Sequence, residues 1–169
     1  MTRLEWLSGM SAKALFAVSG AAMVLIAMIG FSDVVASFLF RAPLKGVFEA
    51  TELLLVVLIF LAQPFAVFAR GHVALDLLDF AHGSFGARVR MLLIVVTGAL
   101  CYGVLVRSSY ASFIASYQIQ EISQGLVKLP VYPAKFAVFL GSVLALVQVL
   151  VLPFRPEPDS QETHISEIV

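Results

Sequence analysis

Charge is what this chain has least of. Of its 169 residues, 13% are charged and 60% are hydrophobic, where soluble domains carry about 25% charged residues. A chain this short cannot bury so much apolar surface in a core of its own. Its outer surface must therefore be apolar too, and the solvent that permits this is lipid. A mean hydropathy of +0.98 agrees. Net charge is +0, and with no basic excess nothing points to nucleic acid. Cys101 is the single cysteine, which excludes an internal disulfide and leaves the redox compartment unread. There is no phosphate-binding glycine loop and no internal repeat. No serine, histidine and carboxylate form a credible catalytic set, so an enzyme is not expected.

What the chain does have is long apolar runs. A signal peptide needs an apolar region of only about 7–15 residues and a small-residue cleavage site. The first run here, residues 14–40, is much longer, broken only by Asp33, and reads as a retained span. Further runs cover residues 47–69, 89–115 and 134–154. Each approaches the roughly 20 residues a bilayer demands of a helix. Residues 1–13, with Trp6 among Leu4, Leu7 and Met10, suit an interfacial segment. Between the second and third spans, His72, Asp76, Asp79 and His82 recur at helical spacing, which predicts a short amphipathic helix over 72–82 lying along the membrane surface. Residues 155–169 form an acidic tail that reads as disordered. The expected fold is all-α: four transmembrane helices with a short interfacial helix between the second and third.

Four spans place both termini on one side. Basic residues on that side are Arg3, Lys13, Arg70, Arg88, Arg90 and Arg155, against Arg41, Lys45, Lys128 and Lys135 on the other. The small excess favours cytoplasmic termini.

Few residues are candidates for chemistry. Asp33 lies inside the first span and Arg107 late in the third, and such residues are costly in lipid and usually functional or paired. Counting from the span ends puts the two at similar depth, with Glu49 and Glu52 at the start of the second span close to the same layer. One reading is a proton or cation site. The other is a structural charge cluster, favoured because these acids are nearly balanced by Arg107, Arg41 and Lys45. On the opposite side, His72, Asp76, Asp79 and His82 have spacings a metal site uses. A solvated face of the interfacial helix explains them as well, and nothing organises a second set of partners around them. Haem between membrane helices needs histidines within the spans. His72 and His82 fall in a connection and His164 in the tail, which disfavours the anchor subunit of a redox enzyme.

The run from Asp33 to Asp76 resembles the small membrane subunit of tripartite ATP-independent periplasmic (TRAP) transporters, the DctQ-type family. The residues that carry the resemblance are Asp33-Val34-Val35 late in the first span, the Pro43/Gly46 turn, and Glu49 with Glu52-Leu53-Leu54. After the second span come Arg70-Gly71-His72-Val73-Ala74-Leu75-Asp76. Leu129-Pro130-Val131-Tyr132-Pro133 is similar to the family's proline-aromatic lead into the fourth span. One departure is Ser37, where family members often carry an arginine; any partnership with Asp33 then falls to Arg41 or Arg107, or is absent. The resemblance implies a multi-pass protein of the bacterial inner membrane that works as a subunit. A periplasmic binding protein delivers an organic acid, and a large membrane subunit moves it inward on a sodium gradient. The small subunit, set in the lipid bilayer, scaffolds the large one. It implies no cofactor on this chain, with sodium on the large partner. Asp33, Arg41, Glu49, Glu52, Arg70, His72, Asp76 and Arg107 then become structural or interface residues. The rival reading is a stand-alone ion-coupled exporter using Asp33.

Overall fold

The computed structural model describes residues 3–69 and 85–154. Lipid offers no partners to backbone amides and carbonyls, so apolar runs satisfy them internally, as helices, whatever their content of β-branched residues. Among the described residues four long helices result: α1 (Arg3–Phe40), α2 (Val47–Phe68), α3 (Phe85–Gln118) and α4 (Tyr132–Val151), the last continued by a 3-10 turn, Leu152–Phe154. All four are long and apolar enough to cross a membrane.

Their ends follow local chemistry. After Phe40, α1 stops at Arg41 in a left-handed conformation (φ 51°), and Pro43 follows. Gly46, also left-handed (φ 87°), turns the chain into α2. Gln120 (φ 48°) closes α3, and Pro133 stands in the first turn of α4, where a missing N–H costs nothing. Toward the N-terminus α1 runs unbroken through the segment expected to be a separate interfacial piece. Gly9 is the only weak helix former there, and a single glycine is tolerated. The interfacial helix expected over 72–82 and the tail at 155–169 lie outside the described residues.

The helices do not stand in chain order. α1 packs on α2, α2 on α4 and α4 on α3, with a lighter contact of α1 on α4. The spatial order is α1–α2–α4–α3. The centre is α4, seamed to α2 on one side and to α3 on the other: α2 buries Leu61, Pro64 and Val67, and α4 buries Ala134, Ala137, Gly141, Ser142, Ala145, Gln148 and Val149, the last against Gly98 of α3. Small residues at successive turns let backbones approach, which is how helices associate where apolar burial gives no advantage over lipid. Pro64 sharpens the α2/α4 seam. It has no N–H to donate to the Phe60 carbonyl one turn back. That same carbonyl is where α4 comes closest: a Cβ added to Gly141 would collide with it. The carbonyl freed by the proline faces the glycine of the next helix.

Aromatic pairs set the remaining register. Phe16 of α1 stacks on Phe65 of α2 with ring centres 4.4 Å apart. Along the α3/α4 seam, Tyr110 meets Phe139 at 5.6 Å, Phe113 meets Phe136 at 5.3 Å and Tyr117 meets Tyr132 at 5.9 Å. Several hydroxyls inside the spans bond within their own helix, as Ser19 does to the Phe16 carbonyl and Ser142 to the Val138 carbonyl. The connections at 41–46 and 119–131 share one end of the bundle, called here the loop face.

Candidate functional site at the loop face

Two carboxylates organise the loop face, and each grips backbone. Asp33, half-buried on α1, accepts the Leu44 N–H at 2.8 Å. Arg41 and Pro43 bend the chain between them, and Asp33 supplies an acceptor to an amide that no helix satisfies. Glu49 lies in the first turn of α2 and is 6% exposed. Its Oε1 accepts the Leu126 N–H at 2.5 Å. Gly125 sits against the same carboxylate so closely that a methyl group there would overlap it. The Val127 side chain rests on Gly46, where an added Cβ would meet its Cγ2 at 2.6 Å. The α3–α4 connection is thus folded down over the start of α2.

That connection has a structure of its own. Ser123 N–H donates to the Leu129 carbonyl at 2.7 Å, and Val131 N–H to the Glu121 carbonyl at 3.0 Å, around a short antiparallel bridge of Ile122 with Pro130. At its base the Lys135 ammonium donates to the Glu121 carboxylate. This bond holds Glu121 below its ordinary value of 4.5. At its tip the Leu126 side chain is 87% exposed. The backbone of the tip is clamped while its side chain stands free.

The structure distributes the residues expected to cluster here. Asp33 and Glu49 reach the loop face, each with its own amide partner. Arg41, Lys45 and Glu52 are exposed. Arg70, His72 and Asp76 lie outside the described residues. Among the described residues no group of three or more His, Cys, Asp or Glu is placed to hold a metal ion.

Arg107 does not join them, and of the partners left open for Asp33 the register separates this one from it. Asp33 is level with the start of α2, through Leu44. α3 runs on past Ala115 to Gln118, so Arg107 lies about 16 Å along the helix from its loop-face end, at ~1.5 Å per residue. Among the described residues α3 packs chiefly on α4 and the turn that follows it, whereas α1 packs chiefly on α2. Depth counted from apolar run lengths missed both the helix extension and the spatial order. The Glu49–Leu126 clamp and the Glu121–Lys135 pair were not anticipated either. No local pattern announces contacts that a long connection makes on returning to the bundle.

Comparison with known proteins gives one finding of identity. The family whose sequence model matches is described as tripartite ATP-independent periplasmic transporters, DctQ component, and the match covers residues 26–156. No curated protein sequence and no solved structure matches the chain.

Proposed function

The chain belongs to the DctQ component family of tripartite ATP-independent periplasmic transporters, a transporter family and not an enzyme family, and from that premise we propose that it scaffolds the large membrane subunit for sodium-driven uptake of an organic acid. A periplasmic binding protein delivers that acid to the assembly. The family and the four apolar helices make the chain a multi-pass protein of the inner membrane. On the proposed orientation its termini are cytoplasmic and its loop face is periplasmic. Sodium binds on the large subunit, and this chain carries no cofactor.

The observation that carries the scaffold reading is the use made of the two loop-face acids. Asp33 holds the turn between α1 and α2, and Glu49 holds the connection between α3 and α4. Both carboxylates serve a fixed surface. A coupling carboxylate in a stand-alone exporter has to exchange a proton or ion as the protein changes shape, and Asp33 stands at the edge of the bundle, bonded to a turn.

The test is purification in mild detergent with identification of what accompanies the tagged chain. The large permease subunit is expected in fixed proportion, and uptake in cells should require both. Uptake by this chain reconstituted alone would overturn the scaffold reading in favour of the exporter.

A further inference from the structure

Arg107 stands on the wrong side of its helix for a lone subunit. α3 turns Ser109, Phe113 and Ser116 toward α4, where Ser109 and Ser116 are buried and the Phe113 ring meets Phe136. Arg107 lies opposite, in an exposed stripe with Leu100, Val104 and Ala111, of which Leu100 is 66% and Val104 70% exposed. Together with Ser108 and Tyr110, Arg107, Val104 and Ala111 line a shallow groove on this outward face.

The depth of this guanidinium excludes the ordinary solutions. It is about 16 Å along the axis from Gln118 and about 24 Å from Met91, the ends of the apolar span, at ~1.5 Å per residue. The hydrocarbon core is ~30 Å thick, so the charge sits near its middle. An arginine reaches little more than one helical turn, which leaves lipid phosphates at either surface out of range. Its Cα–Cβ bond also leans toward the N-terminus of α3, away from the nearer surface. Among the described residues there is no help inside the chain. Asp33 and Glu49 are bonded at the loop face, and Glu121, in the connection outside the spans, is bonded to Lys135. Glu52 lies near the loop-face end of α2, and α4 stands between α2 and α3. Among the described residues Arg107 has no ion-pair partner. A mid-membrane charge faces protein or a water-filled cavity and is paired there.

We propose that the outward face of α3, centred on Arg107, is the docking surface for a transmembrane helix of the large permease subunit, and that this helix presents a carboxylate to Arg107 near the bilayer midplane. The proposal rests on the scaffold reading and specifies which face makes the contact. Val104 and Ala111, one turn to either side, provide the apolar seat. Ser108 and Tyr110 offer hydroxyls beside the pair.

The test uses the co-expressed complex. A photo-crosslinking amino acid replaces Val104 or Ala111, and Phe31 on the exposed face of α1 serves as control. Strong adducts with the large subunit are expected from 104 and 111. In parallel, Arg107→Leu should lower recovery of the large subunit at least tenfold, because it strands the partner's carboxylate in lipid, while Arg107→Lys keeps most of it. Acid-to-leucine changes at midplane positions of the large subunit should include one that restores recovery with Arg107→Leu. If the complex purifies intact but 104 and 111 give no protein adduct, and Arg107→Leu leaves recovery unchanged or raised, the α3 surface faces lipid; the docking proposal is then wrong and the scaffold reading survives. If wild-type chain recovers no large subunit, both fall together.

Discussion

Glu49 and Leu126, 77 residues apart in sequence, are joined by a carboxylate-to-amide hydrogen bond of 2.5 Å that fastens the α3–α4 connection to the first turn of α2. The bond fixes backbone and leaves the Leu126 side chain outward, so the loop face keeps its shape without using its apolar tip.

Loss of that clamp should be visible locally. Glu49→Ala removes the acceptor, and Gly125→Ala places a methyl group where the carboxylate now sits. Both variants are expected to free the connection and leave the four helices in place. In a Cys101→Ser background, a cysteine at Gln124 should react with an impermeant thiol reagent several-fold faster in either variant. Equal rates would mean that the clamp does not restrain the loop.

Asp33 and Arg107 should behave as strangers. Sites farther apart than about 7–10 Å with no shared partners are additive to within about 0.5 kcal/mol, and these two differ in depth, helix and neighbour. Asp33→Ala should loosen the 41–46 turn, and Arg107→Gln should act on assembly. The double variant should show the sum of the two effects on complex yield. Recovery of the Asp33 defect by Arg107→Gln would restore the pairing that the register excludes.

The base of the α3–α4 connection should respond to acid. Lys135 lowers the pKa of Glu121 from 4.5, so the carboxylate form is the one the fold favours. Whatever the pair contributes is complete above that pH, where Glu121 is charged in folded and unfolded chain alike. It is lost as pH falls below 4.5 and through the lowered folded value. Both side chains are about one-third exposed, and the effect is correspondingly small. Proteolysis within 119–131 should quicken below pH 4.5 in wild type. Glu121→Gln should be quick at neutral pH already and nearly flat with pH.

The proposed orientation is open to a two-site check. With Cys101 replaced, cysteines at Ser123 and Ser160 are exposed to an impermeant reagent in intact cells. Reaction at 123 alone is expected. Reaction at 160 alone inverts the protein in the membrane.

Much of this molecule was legible from residues alone because lipid simplifies the first step. Run length pointed to four apolar helices, and the order of motifs from Asp33 to Asp76 pointed to the family. What failed was everything that depends on which face a helix turns where. In α1 and α3 the residues meeting lipid and those meeting protein are equally apolar: Val104 is bare and Val106 half-covered, with nothing in their chemistry to separate them. Without a polar stripe there is no sequence signal for the order α1–α2–α4–α3. The depth of Arg107 depended on the same register, and so did its partner. Glu49 was recognised as a feature of the α2 start, but its acceptor role needed a connection whose path no local rule dictates.

The position of α4 between α2 and α3 has a consequence for biosynthesis. α1 and α2 leave the ribosome first and are neighbours, so they can close as a hairpin at once. α3 emerges next and finds no place, because the surface it needs belongs to a helix not yet made. Until α4 arrives and wedges itself between α2 and α3, α3 must wait at the translocon or in the bilayer with its Ser109–Phe113–Ser116 face uncovered. The last helix synthesised is therefore the one that completes the bundle, and a ribosome stalled before Tyr132 would leave a two-helix hairpin and a stray third span.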